Sequence, residues 1–329
     1  MDRRLRVAVA GASGIGKHHA RWHHAAGSEV VGFLGSTPES CRAAAEALRR
    51  QFPFAGRGYC AGRGYCDWEE LLVQLQPDVV DICLPNELHG VCALQAMEVG
   101  CHVLCEKPMV WHAERPAEEI LAEARRMVDG ARHRGLQLGV CTQYAACLSH
   151  YMQLYRPARG ELGCPRSFCA EMETLARGRQ RTGREIWIDM GPHPLSLLLA
   201  WVPDGQITPG TLGAEFGPSY ARVAFDFCSP RGVCRTDIVV RDLPEGKPVR
   251  CFGVNGLVAN CEGRPDAQGV FRTVLRHAGH EVMGEDLMSR LITQFAEAVR
   301  SPELTPLACG ETGLRNLQLQ IEVMQQHAS

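Results

Sequence analysis

Three short segments hold residue types that could do chemistry. Lys107 sits in Glu106-Lys107-Pro108, and Asp189 and His193 lie four apart in Trp187-Ile188-Asp189-Met190-Gly191-Pro192-His193. Gly11, Ser13, Gly14, Ile15 and Gly16 belong to a glycine-rich turn, Gly11-Ala12-Ser13-Gly14-Ile15-Gly16. A lysine ammonium stabilises negative charge growing on an oxygen. Histidine starts near neutral pKa, which suits it to moving a proton. A glycine turn leading into a helix offers N–H groups and a dipole to a pyrophosphate. A carbinol gives up hydride only if its hydroxyl proton also leaves, so these three pieces fit hydride transfer to a bound cofactor. The competing readings are a core histidine, a helix-terminal aspartate and a solvated loop lysine.

The elements that must position these residues follow from the pattern. Leu5 to Ala10 reads as a short strand, Ile15 to Ala26 as a helix and Glu29 to Leu34 as a second strand. Helices follow at Pro38 to Arg50, Trp68 to Leu75, Leu88 to Val99 and Pro116 to Arg134, with strands at Asp78 to Leu84, Cys101 to Leu104 and Leu136 to Cys141. Strands alternating with helices at this spacing imply a parallel, doubly wound sheet, whose ligands gather at the strands' carboxyl ends. Pro85, Asn86 and His89 lie past one such end, and Glu106 and Lys107 past another. Between Arg50 and Trp68 the block Gly56-Arg57-Gly58-Tyr59-Cys60 recurs as Gly62-Arg63-Gly64-Tyr65-Cys66. It reads as a tandem duplication in a surface loop. After about residue 142 the runs Arg166 to Leu175, Tyr220 to Phe227, Val233 to Leu243 and Val249 to Cys261 read as strands, the last interrupted by the hairpin signal Asn255-Gly256. Helices Glu285 to Arg300 and Glu311 to Gln326 close the chain. The expected division is residues 1–142 as a Rossmann dinucleotide-binding domain and 143–329 as an α+β domain with a mostly antiparallel sheet.

The turn departs from G-x-G-x-x-G, because Ser13 takes the middle position. The second strand ends Phe33-Leu34-Gly35-Ser36-Thr37, with no acid before Glu39 to receive a ribose 2′-hydroxyl. Ser36 and Thr37 could donate to a 2′-phosphate and Arg42 could add charge, so NADP is preferred over NAD. The alternative is that these three only cap and solvate the helix.

Taken in order, these segments resemble the glucose–fructose oxidoreductase/inositol dehydrogenase (Gfo/Idh/MocA) family. The resemblance runs from the glycine turn with Gly16-Lys17-His18-His19-Ala20, through Pro85-Asn86 with His89 and Glu106-Lys107-Pro108, to Asp189-Met190-Gly191-Pro192-His193 and the Asn255-Gly256 hairpin. It implies a two-domain NAD(P)-dependent dehydrogenase or reductase acting on a ring hydroxyl or ketone of a sugar or cyclitol. In that resemblance the second domain is an open sheet that carries the substrate site. Lys107 would touch substrate oxygen and nicotinamide ribose, His193 would exchange the proton, and Asp189 would be its polar companion. Ser196 stands where many relatives have aspartate, and Gly183-Arg184-Glu185 replaces a glycine run, which points to a different pocket. Arg184, with Arg177, Arg179 and Arg181, could clamp an acidic substrate group; a solvated loop is the competing account. An NAD-dependent glycosidase and a non-enzymatic nucleotide or sugar sensor are the alternative functions on this scaffold.

Composition narrows the classes. Lysine plus arginine number 35 against 37 acids, which is not the basic footprint of a nucleic-acid binder. No apolar run is long enough to span a bilayer, and no signal peptide is expected at the start, so the expectation is a cytoplasmic protein. The 16 cysteines are scattered without C-x2-C spacing and read as small hydrophobes in a reducing compartment. No metal is expected, including from His18, His19, His23 and His24 on the first helix. The expected partners are a small-molecule substrate, no membrane, and other copies of the chain in a homodimer or homotetramer.

Overall fold

The computed structural model describes residues 3–60, 66–267 and 270–326. Two compact units emerge: residues 1–141 with 288–314, and residues 142–287 with 315–329. The expected single cut after 142 therefore leaves out a return of the chain to the first unit.

In the first unit six parallel strands lie in the order β3-β2-β1-β4-β5-β6. They are β1 (Arg6–Ala10), β2 (Glu29–Gly35), β3 (Arg57–Cys60), β4 (Val79–Ile82), β5 (His102–Cys105) and β6 (Leu138–Val140). The order reverses direction at β1, the switch point of a doubly wound fold. Helices α1 (Gly16–Ala25), α2 (Pro38–Gln51), α3 (Cys66–Leu75), α4 (His89–Glu98) and α5 (Ala117–Arg134) connect them. Strands buried on both faces read as continuous apolar runs. β1 is RVAVA, and β4 is VVDI with every residue buried, including Asp81.

β3 corrects the loop expected before Trp68. The first copy of the duplicated block pairs Arg57–Cys60 in parallel with Gly32–Gly35. The second copy, apart from its last residue, lies outside the described residues. Glycine richness hid a strand that its neighbours specify: a Cβ on Gly58 would meet the Phe33 ring at 2.7 Å.

The second unit is built on a nine-stranded sheet, ordered β15-β14-β13-β12-β7-β11-β10-β8 with β9 on β10. Helix α6 (Leu148–Arg159) leads to β7 (Ser167–Leu175), then come α7 (Gly183–Met190) and α8 (Pro192–Trp201). The remaining strands are β8 (Gln206–Ile207), β9 (Gly213–Phe216), β10 (Tyr220–Ser229), β11 (Gly232–Leu243), β12 (Arg250–Val254), β13 (Leu257–Pro265), β14 (Phe271–His277) and β15 (His280–Glu285). All their pairings are antiparallel except β7 with β11. The hairpin at Asn255-Gly256 forms as the dipeptide predicts, with φ of 51° and 78°. β14 and β15 were not visible in the pattern; β15 is an edge strand, and the mixed burial of both blurs the alternation.

Two helices complete the chain, α9 (Leu287–Arg300) and α10 (Gly310–Gln325). From Met288 onward α9 belongs to the first unit, where Phe295 packs over Gly139 of β6. The part of α10 from Arg315 belongs to the second unit. Its Asn316 donates to the Pro192 carbonyl at 2.9 Å and Gln320 to the Ile188 carbonyl at 3.1 Å, while Trp187 donates to the Gln320 carbonyl at 3.2 Å. These bonds hold the α7–α8 junction, which carries Asp189 and His193.

Candidate active site

The glycine turn joins β1 to α1 under tight steric limits. Gly11 has φ of 91°, and a Cβ there would sit 2.4 Å from the Cys83 carbonyl oxygen. A Cβ on Gly16 would sit 2.2 Å from the Gly11 oxygen, so the last glycine allows the helix to start against the strand. Ser13, Gly14 and Ile15 are exposed between them. α1 begins with no side-chain cap and no acid in its first turn, which leaves its positive dipole end unneutralised.

At the end of β2 the hydroxyls are engaged locally. Thr37 caps α2, accepting from the Ser40 N–H at 3.1 Å, and Ser40 Oγ accepts from the Thr37 N–H at 2.9 Å. Ser36 Oγ lies 3.3 Å from Ser40 Oγ, and Arg42 pairs with Glu39 at 2.8 Å. The helix-capping account of these residues thus describes their present contacts. Ser36, Thr37 and Arg42 remain exposed.

Past β4, Pro85 precedes a short 3-10 turn, Asn86–Leu88. His89, expected among the cofactor contacts, has another task. Its ring is buried, with Nδ1 2.9 Å from the Pro108 carbonyl oxygen and Nε2 2.9 Å from the Leu84 carbonyl oxygen. Burial pushes its pKa down despite both carbonyls. A neutral imidazole has one N–H, so one carbonyl at a time accepts it. His89 therefore pins the Glu106-Lys107-Pro108 segment, whose Lys107–Pro108 bond is cis, against the end of β4. The Lys107 N–H donates to Glu106 Oε2 at 3.0 Å.

Directly behind Glu106 lies a buried polar cluster that the motifs did not reveal. His19 Nδ1 is 2.9 Å from Asp81 Oδ2, and His23 Nε2 is 2.9 Å from the same oxygen. His19 Nε2 is 3.2 Å from Glu106 Oε1, but their alignment makes no hydrogen bond. Burial alone would raise the Asp81 pKa; the two histidines outweigh it and hold the carboxyl well below the usual range. Burial opposes charge on His19 too, yet Asp81 and Cys83 raise its pKa well above the ordinary value. Burial, with Asp81 adding to it, pushes the Cys83 thiol up to about 12. Two signals pointed here: histidines four apart on α1, and an acid inside the apolar run Val79–Ile82.

In the second unit Asp189 lies in the last turn of α7 and Pro192 opens α8 at its first position. His193 is buried, and its ring stacks obliquely on Tyr144 with centroids 5.0 Å apart. Ser196 donates to the His193 carbonyl at 2.7 Å. Tyr144 also lines a cavity of about 270 Å³, together with Gln143, Arg250, Cys261, Thr273 and Asp286. Arg181 spreads its guanidinium over two carboxylates, reaching Asp189 at 2.6 Å and Asp242 at 2.8 and 2.5 Å. Arg184 donates to the Met324 carbonyl at 3.1 Å and lies over the Phe216 ring. The arginines that suggested an acidic substrate, Arg181 and Arg184, are thus committed to their own chain.

Residues 5–142 match the family described as oxidoreductase family, NAD-binding Rossmann fold. That match is to the Gfo/Idh/MocA oxidoreductases, and it covers less than half of the chain. D-glucoside 3-dehydrogenase of Escherichia coli (strain K12) is 30% identical over 185 residues, 56% of this chain and 46% of the relative. UDP-N-acetylglucosamine 3-dehydrogenase of Acidithiobacillus ferrooxidans is 27% identical over 197 residues, 59% of this chain and 53% of the relative. The match to these curated relatives spans about half of their length. A solved structure of that second enzyme has a TM-score of 0.72 at 21% identity, covering 98% of this chain and 97% of the other. A 3-ketoreductase from Actinomadura kijaniata, in complex with NADP and TDP-benzene, has a TM-score of 0.72 at 20% identity and covers 98% of each chain. These structural likenesses establish the fold over nearly the whole chain: a parallel Rossmann sheet followed by a mostly antiparallel one.

Proposed function

We propose that this chain is an NAD(P)-dependent dehydrogenase or reductase that moves a hydride to or from a ring carbon of a sugar. The observation that carries the reading is Lys107, fixed past β5 by the His89 pin and the Glu106 contact, in a chain that starts with a nucleotide-type glycine turn. The lysine ammonium stabilises the alkoxide oxygen, His193 takes or returns the hydroxyl proton, and Asp189 is oriented by Arg181. The cavity beside Tyr144 supplies polar side chains suited to hydroxyl groups. Several relatives are named for reactions at sugar carbon 3, which makes C3 the first position to assay.

The cofactor reading favours NADP, because no carboxylate occurs from Val30 to Pro38 and Ser36, Thr37 and Arg42 are exposed. NADPH should bind roughly tenfold more tightly than NADH. Tighter NADH binding in a fluorescence titration would reverse that preference. Lys107→Met should lower turnover on a sugar and keto-sugar panel by about 10²–10³-fold while cofactor affinity holds. Full turnover in that variant would remove Lys107 from the mechanism. The described cysteines are free thiols, in keeping with a reducing, cytoplasmic setting. A homodimer or homotetramer through the second sheet is part of the same reading, and a monomer by light scattering would overturn it.

A further inference from the structure

We propose that His19, Glu106 and Cys141 form a binding site for a thiophilic divalent cation, with zinc the best fit. The three residues come from α1 and from the ends of β5 and β6. The Glu106 N–H bonds the Ile82 carbonyl and the Cys141 N–H bonds the Cys105 carbonyl. The parallel ladder therefore runs one residue past the strands and sets Cys83, Glu106 and Cys141 level on one face. α1 covers that face, and His19 lies over it. One donor atom from each of His19, Glu106 and Cys141 lies within 4.8 Å of the others. Zinc bonds of about 2.0–2.3 Å require shifts of only about an ångström to close that triangle.

The histidine is already arranged as a metal ligand. A ligating imidazole usually gives its other N–H to a carboxylate, which fixes the tautomer and the ring plane. His19 Nδ1 has that carboxylate in Asp81, which His23 holds in turn. This leaves Nε2 facing the other two donors. It is a fully buried nitrogen with no hydrogen bond, although a carboxylate oxygen is 3.2 Å away. An atom so placed costs free energy unless something accepts its lone pair or its proton. A nitrogen, an oxygen and a sulfur donor together suit zinc better than magnesium or calcium. His19 and Cys141 are sealed from solvent, and Glu106, 13% exposed, offers the way in.

Coordination replaces the Cys141 S–H bond by a sulfur–metal bond, and the proton leaves to solvent. Any proton on His19 Nε2 leaves with it. Spacing in the sequence could not show this site, since its ligands are far apart in the chain and only the sheet aligns them.

The full chain, freed of metal with a chelator, is titrated with Zn²⁺ by calorimetry and with Co²⁺ by absorption. The expected result is one ion per chain, a thiolate-to-cobalt charge-transfer band and a higher melting temperature with Zn²⁺. Cys141→Ser should abolish the band and weaken zinc roughly 100-fold or more. His23→Ala keeps every ligand and should weaken zinc by about 10–100-fold through the orienting carboxylate. Cys228→Ser, at an exposed thiol, should change nothing. A band that survives in Cys141→Ser, or zinc binding unaltered by Cys141→Ser and His23→Ala alike, overturns the site. If Cys141→Ser does not fold, Glu106→Gln decides: unchanged zinc affinity there also overturns it. None of these readings needs catalytic turnover, so they stand apart from the proposed activity.

Discussion

His19 in the first unit and Arg181 in the second are each set against two carboxylates, and the two arrangements differ in kind. In the first, His19 lies between Asp81 and Glu106, with His23 as a second donor to Asp81. In the second, Arg181 lies between Asp242 and Asp189. The arginine is a permanent charge with a rigid fork, and it binds Asp242 through two nitrogens. The histidine carries its charge only while protonated, and its second carboxylate is near but not aligned. The arginine device positions a carboxylate and does little else. The histidine device can exchange its proton for another ligand, and it lies against the lysine strand. A structural ion pair and an adaptable one are thus told apart by the cation chosen and by how completely its donors are used.

Arg181→Met should be the more damaging change, because it strands Asp242, 4% exposed, without its bidentate partner. A loss of about 3 kcal/mol is expected, at the lower end for breaking a buried pair because Asp189 is well exposed. Chemical denaturation measures it; a loss below that of a surface substitution would show that Arg181 is not the anchor of α7. His19→Asn should cost less, about 1–3 kcal/mol in metal-free protein, since His23 still serves Asp81.

The pH dependences should diverge as well. The folded pKa of His19 is raised above 6.5, so its contribution is complete below 6.5 and fades as pH rises through the folded value. The stability gap between the native chain and His19→Asn should therefore narrow as pH rises above 6.5. The gap for Arg181→Met should stay level across that range; parallel slopes for both variants would erase the distinction. His89 provides the opposite sign and the smallest effect. Its folded pKa is lowered, so its contribution holds above 6.5 and fades as pH falls and the unfolded chain takes up the proton. A His89→Gln variant should close on the native chain only on the acid side, in urea melts followed by fluorescence.

Much of the fold was legible because local signals agreed with it. β1, α1 and β2 combine apolar runs, a glycine turn and a proline at the first turn of α2. The hairpin at Asn255-Gly256 could be read from its dipeptide alone. β3 was hidden because glycine and tyrosine in a repeated block look like a loop until β2 is set beside them. Of the candidate site, the lysine motif and the α7–α8 junction were legible. The use of His89 as a pin was not, since its two acceptors, Leu84 and Pro108, are carbonyls brought together only by neighbouring strand ends.

By itself the sequence determined the kind of protein this is: an alternating strand–helix half opening on a glycine turn, a lysine past one strand, and an aspartate and histidine flanking a helix start. Residue type and spacing suffice for these because each depends on contacts within a few positions of the chain. Only the tertiary structure decided which polar groups meet. It gave Arg181 to Asp242 and Asp189, took Arg184 for Met324 and Phe216, and placed Asp81 between two histidines. It also aligned Cys141 with Glu106 under His19. Sheet register sets such meetings across dozens of residues, and in a buried site a charge must find its partner or give up its proton.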